Sequence, residues 1–145
     1  MRLVLTLLVA GAVSLLAGLA ASKIATLMPC QGEGLACNLN DAIGAYAVLI
    51  WTPLSTVIFG MILYIACNRV ALLSGTILLL APLIAAYGIA MFEAWRYVGF
   101  YPYKDLRTFL VALAAPALTV VAQTLILGSQ LTAQRSLSAA GNRVP

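Results

Sequence analysis

The stretch AIGAYAVLIWTPLSTVIFGMILYIACNRVALLSGTILLLAPLIAAYGIAMF, residues 42–92, carries a single charged side chain, Arg69. On each side of it runs an apolar segment long enough to cross a ~30 Å hydrocarbon core at 1.5 Å per helical residue. Only Cys67, Asn68 and Arg69 separate the two runs, which predicts a tight antiparallel hairpin of membrane-spanning helices. Hydrocarbon offers no partner to backbone N–H and C=O groups, so a single spanning segment that satisfies its own is a helix.

Outward from this hairpin lie two more apolar runs. One covers residues 3–21, after a lone Arg2 and ahead of Lys23; the other covers 109–128. The expected fold is all-α: an integral membrane bundle of four transmembrane helices at 3–21, 42–66, 70–92 and 109–128, one domain over 1–145 with a short polar tail at 129–145. Composition agrees, because 63% of the 145 residues are hydrophobic and only 8% charged, where a soluble domain carries about a quarter charged residues. The basic start and the small residues Gly18 and Ala20 also fit a secretory signal peptide, but the apolar run exceeds the ~7–15-residue core of such a peptide.

Pro53, Pro82 and Pro116 fall inside the second, third and fourth spans and are expected to bend them, since proline removes a backbone hydrogen bond and crowds the preceding turn. The hydroxyls of Thr52, Ser55 and Thr56 are placed to serve the groups freed near Pro53. Packing kinks are the plain reading of these prolines; hinges of a moving transporter are the sharper one.

Several functions fall to the residue inventory. Net charge is +4, but the basic residues are scattered singly, so the chain lacks the basic stripe of a nucleic-acid-binding surface. There is no histidine, which excludes His-ligated haem, His-bound pigments, His-containing zinc sites and a histidine base. No cofactor and no metal site is expected. Within the spans the polar set is hydroxyls, glycines and Gln123, with ionisable residues confined to the ends. Ion-coupled transport usually leaves a charged residue in the membrane. Small multidrug transporters, also of four helices, rely on a carboxylate in the first helix, and this chain has none there.

Orientation follows from the acids. Four spans put Arg2, Arg69, Arg135 and Arg143 at one end. Lys23, Glu33, Asp41, Glu93, Arg96, Lys104, Asp105 and Arg107 lie at the other. Basic residues tie, so the positive-inside rule does not decide. The end bearing the termini has no acidic residue, and the opposite end bears a cysteine pair suited to an oxidising compartment. Both termini are therefore expected in the cytoplasm, in a cell membrane of the bacterial inner-membrane type.

That pair is Cys30 and Cys37, separated by a segment containing Gly32, Glu33 and Gly34. Flexible glycines predict that the sulfurs can meet in a structural disulfide. A redox-active pair is the sharper alternative, but reactive thiols favour Cys-x-x-Cys spacing and electropositive surroundings, whereas here six residues separate the cysteines and the acidic Glu33 lies between them. Cys67 reads as a small buried hydrophobe or, in a eukaryote, a palmitoylation site.

The third loop, residues 93–107, holds Trp95, Arg96, Tyr97, Phe100, Tyr101 and Tyr103. Aromatic rings favour the headgroup level, so the plain reading is an interfacial anchor. The functional reading is a docking surface, because aromatics and arginine dominate binding hot spots. Glu93 and Arg96 are spaced to pair if the third helix continues outward, and Asp105 is placed to cap the fourth.

In the first span Ala10, Ser14, Gly18 and Ser22 recur every fourth residue. Such a stripe lets helix backbones approach closely in lipid. Its target is another helix of the same bundle or a second protein. The sequence thus points to a small multi-pass membrane protein without an evident catalytic site, an accessory or interaction subunit of a membrane complex. Its partners are the lipid bilayer and other membrane subunits or further copies of itself. An oligomeric transporter or channel is the first rival and a membrane thiol oxidoreductase using Cys30 and Cys37 the second. The motifs of the thiol oxidoreductases and of tetraspan proteins with cysteines in the first outer loop do not match residue by residue.

Overall fold

The central hairpin is closed by a side-chain cap. α2 (Gly34–Ile65) ends where the Ala66 N–H bonds back to the Ile62 carbonyl at 2.8 Å. Asn68 then opens α3 (Arg69–Val98) by accepting the Ala71 N–H on Oδ1 at 2.7 Å. Asparagine suits this position because its side-chain oxygen satisfies a first-turn donor that has no intrahelical partner.

In the computed structural model, which describes residues 2–29, 34–98 and 106–141, α1 (Arg2–Thr26) precedes this hairpin and a fourth long helix follows it. The fourth is composite: α4 (Leu106–Phe109), a π-helical turn (Leu110–Ala114) and α5 (Ala115–Gly141). Each of the four rods contains a segment long and apolar enough to cross a membrane, and no strand occurs among the described residues. The chain has the build of a small multi-pass membrane protein.

The helices outrun the spans read from hydropathy. α2 begins at Gly34 rather than Ala42, α3 continues to Val98 beyond Phe92, and α5 continues to Gly141, so much of the expected polar tail is helical. Hydropathy marks where the hydrocarbon ends, whereas a helix ends where its backbone bonds end, and polar residues tolerate both.

Helix runs unbroken through Pro53 and Pro82. Ahead of Pro116 the chain widens instead: the Ala115 N–H donates to the Leu110 carbonyl, a π-type bond. An α-helix would press the proline ring onto the carbonyl four residues earlier, and a widened turn gives that carbonyl room.

α1 packs against α2 and α5, and α3 packs on the far side against α2 and α5. Two halves of the bundle differ in how they fill their interior. The half nearest the termini holds a core of large side chains, with Phe59, Leu63, Leu72, Leu127 and Leu131 buried around Ala10. The half nearest the α1–α2 connection is filled by small ones: Gly18, Ser22 and Ala25 of α1 meet Gly44 and Val48 of α2 and Val111, Ala115 and Thr119 of the fourth helix. A Cβ at Gly44 would stand 2.0 Å from Val111 Cγ1 and 2.8 Å from the Val111 carbonyl oxygen, so α2 and the π turn touch backbone to backbone there. Close approach through small residues is the packing device available where lipid supplies no hydrophobic drive between helices.

Candidate functional site

At mid-depth the two halves meet in a polar knot. Gln123 of α5 is 1% exposed. Its Nε2 donates to Ser14 Oγ of α1 at 3.0 Å and to Thr56 Oγ1 of α2 at 2.9 Å, with the Thr52 carbonyl at 3.3 Å. Both hydroxyls direct their own hydrogens to backbone carbonyls, Ser14 to Gly11 and Thr56 to Thr52. They are therefore acceptors toward the amide, which fixes its orientation. Gln123 Oε1 is left buried without a partner. Thr52 and Ser55 return their hydroxyls to the Val48 and Thr52 carbonyls, not to the Leu49 carbonyl whose backbone donor Pro53 removes. A further link, Thr76 to Thr124 at 2.7 Å, joins α3 to α5.

A second polar feature closes the end of the bundle at the α1–α2 connection. Arg107 of α4 pairs with Asp41 of α2, and its Nη1 donates to the Met28 carbonyl beyond α1 at 3.2 Å. One guanidinium thus ties three segments together. Neither residue stood out in the sequence as a pair, although both fell on the same end of the expected topology with opposite charge. At the opposite end Arg69 donates to Thr132 Oγ1 across the α3–α5 seam.

The stripe residues Ala10, Ser14, Gly18 and Ser22 all lie inside the bundle, facing α2 and α5. A Cβ on Gly18 would fall 2.4 Å from Thr119 Cγ2 and 3.0 Å from Val48 Cγ1. Trp95, Arg96 and Tyr97 stand on the last turns of α3 rather than in a loop, with Arg96 exposed, while Phe100, Tyr101 and Tyr103 lie outside the described residues, as does Asp105.

The expected disulfide finds no support. Cys30 lies outside the described residues, Cys37 sits in the first turn of α2, and no two cysteines approach within bonding distance among the described residues. The glycine read as loosening the loop, Gly34, instead starts a helix, which holds Cys37 on a rigid element. Cys67 is a free, exposed thiol at the α2–α3 turn, not a buried one.

Sequence reasoning missed one surface altogether. α3 buries Leu72, Gly75 and Leu79, but from residue 81 to residue 92 it leaves the bundle largely bare. Leu83, Tyr87 and Met91 are half-buried there, with the Tyr87 ring edge-on to Phe109 at 6.0 Å; Ala81, Pro82, Ala85, Ala86, Gly88 and Ala90 are exposed, together with the larger Ile84, Ile89 and Phe92. Before residue 81 the exposed positions of the same helix include the large residues Val70, Leu73, Ile77 and Leu78.

Among the described residues no group of three or more Cys, Asp and Glu is gathered that could hold a metal. The arrangement holds helices together and leaves the second half of α3 largely exposed. No protein-family model, no curated protein and no solved structure matches the chain.

Proposed function

We propose that the protein is a non-enzymatic interaction subunit, and that it takes a helix of another membrane protein against the bare half of α3. The observation that carries this reading is the set of small residues Ala81, Ala85, Ala86, Gly88 and Ala90 exposed on α3 from residue 81 onward, among Ile84, Ile89 and Phe92, whereas the exposed positions before it are mostly large. A lipid-facing helix has no need of small residues, since acyl chains pack on leucine as well as on alanine. A partner helix does, because small residues allow the close van der Waals contact that drives association in a bilayer. Trp95, Arg96 and Tyr97 continue the same helix to the interface, and with Phe100, Tyr101 and Tyr103 they supply residue types that anchor binding surfaces. The acid-free end, with the termini, is assigned to the cytoplasm, which sets this surface in the outer leaflet.

Replacing Ala85 and Gly88 together by leucine tests the reading. From mild detergent the unaltered chain is expected to bring a stoichiometric membrane partner, and the A85L/G88L variant to lose it while keeping its melting temperature. Purification of the unaltered chain alone, with solute flux through liposomes that contain nothing else, would replace this reading by the transporter or channel.

A further inference from the structure

At the end of the bundle that bears the termini, a groove of about 360 Å³ opens between α3 and α5. We infer that it is a binding site for one anionic phospholipid, the phosphate held by Arg69 and an acyl chain laid along Leu72, Leu73 and Leu125. The groove is graded in the way a lipid is graded. Arg69 and Thr132 stand at its mouth, by the α2–α3 turn; Leu72, Leu73 and Leu125 give it an apolar lining with Thr124 and Ser129 beside them, and at Gly128 no side chain blocks the way.

Among the described residues no carboxylate pairs with the cation at the mouth. Asp41 and Glu93, the acidic residues that are described, belong to the opposite end by helix order, and the ion pair found among the described residues, Arg107 with Asp41, lies there too. Arg69 therefore differs from Arg107. Arg107 is 12% exposed and pairs with a carboxylate. Arg69 is exposed and donates to a hydroxyl, Thr132, which orients the guanidinium without neutralising it. Guanidinium has five donors in a planar fork that matches phosphate geometry, so one bond to Thr132 leaves donors for a phosphodiester. The start of α3 adds the positive end of a helix dipole at the same level. Basic residues near the membrane surface favour anionic lipid by about fivefold each.

The test uses the full chain, stripped of lipid in a neutral detergent and offered phosphatidylglycerol and phosphatidylcholine at equal concentration, with retention read by native mass spectrometry. One phosphatidylglycerol per chain is expected, preferred by about fivefold, and Arg69→Gln should reduce the ratio to one. Gly128→Leu fills the groove while leaving Arg69 in place and should lower retention of both lipids. Its Cβ has room, with Leu72 Cδ2 nearest at 3.6 Å, so this variant carries the test if Arg69→Gln does not fold. Equal retention of the two lipids by the unaltered chain overturns the inference, and so does undiminished phosphatidylglycerol binding in either variant. Displacement of the lipid by glycerol phosphate alone would overturn it in favour of a site for a soluble phosphate.

Discussion

α1 and α3 carry the same kind of small residue and put it to opposite use. On α1, Ala10, Ser14, Gly18 and Ser22 are sealed inside the bundle; on α3, Ala81, Ala85 and Gly88 face outward. The difference is made by what stands opposite. A methyl group at Gly18 would collide with Thr119 and Val48, whereas one at Gly88 would meet nothing within 4 Å. Spacing therefore tells that a helix face is smooth and leaves open which surface it is smooth against.

The sharpest way to break this comparison is to add the same single methyl at three glycines. Gly44→Ala is expected to cost most, on the order of 3 kcal/mol, because its Cβ would meet the Val111 backbone, which cannot rotate away. Gly18→Ala should follow at about 2 kcal/mol, since the Thr119 and Val48 methyls it meets belong to side chains that can shift a little. Gly88→Ala should stay within about 0.5 kcal/mol, as surface changes away from special features do. Unfolding by a denaturing detergent, followed by helicity, ranks the three. A Gly88→Ala loss as large as that at Gly18 would mean that α3 is packed where it looks bare.

The spans themselves were legible in the sequence, because uncharged runs of that length have few other uses. Their ends were not. Residues 34–41 and 129–141 are too polar to register as membrane and nonetheless continue the helices. Gln123 was legible as the odd polar residue of its span, but its partner Ser14 lies 109 positions away, and no periodicity links residues on different helices. Asp41 and Arg107, 66 positions apart, were within reach by charge and topology together; what was missing was any rule that selects Arg107 over Lys104 or Arg96. Pro116 announced an irregularity without saying that the answer would be a π turn. The cysteine reading found no support, and Gly34, weighed there for flexibility, begins α2.

A second, smaller effect sharpens the α1 side of the comparison. Ser14 belongs to the packing stripe and also accepts from Gln123, so the stripe is held by a polar bond as well as by contact. Interhelical hydrogen bonds in membranes average about 0.6 kcal/mol. Gln123→Leu removes the bonds to Ser14 and Thr56 and also removes a buried oxygen that has no partner. The two effects oppose, and the net loss should be no more than about 1 kcal/mol. Gln123→Glu is the informative companion, because it replaces the donor by an acceptor and should destabilise more than leucine does. A leucine variant that loses more than the glutamate variant would show that the amide contributes through shape rather than through its donors.

A last effect concerns the end of the bundle where Arg107 clasps α1, α2 and the fourth helix. Arg107 reaches Asp41 and the Met28 carbonyl, so it joins the three segments whose small residues pack closely just beneath. The pair is partly open to solvent, with side chains 12% and 25% exposed. Exposed ion pairs contribute roughly 0.2–1 kcal/mol and weaken with salt. A double-mutant cycle with Asp41→Asn and Arg107→Gln should therefore return a coupling of about 1 kcal/mol at low ionic strength, falling when salt is raised. Arg107→Gln alone should cost more than Asp41→Asn alone, because the arginine also donates to Met28 and the aspartate does not. Equal single losses would mean that the Met28 bond adds nothing. A coupling that salt leaves unchanged would place the pair deeper in the protein than its exposure indicates, and would move the boundary of the close-packed half outward past Asp41.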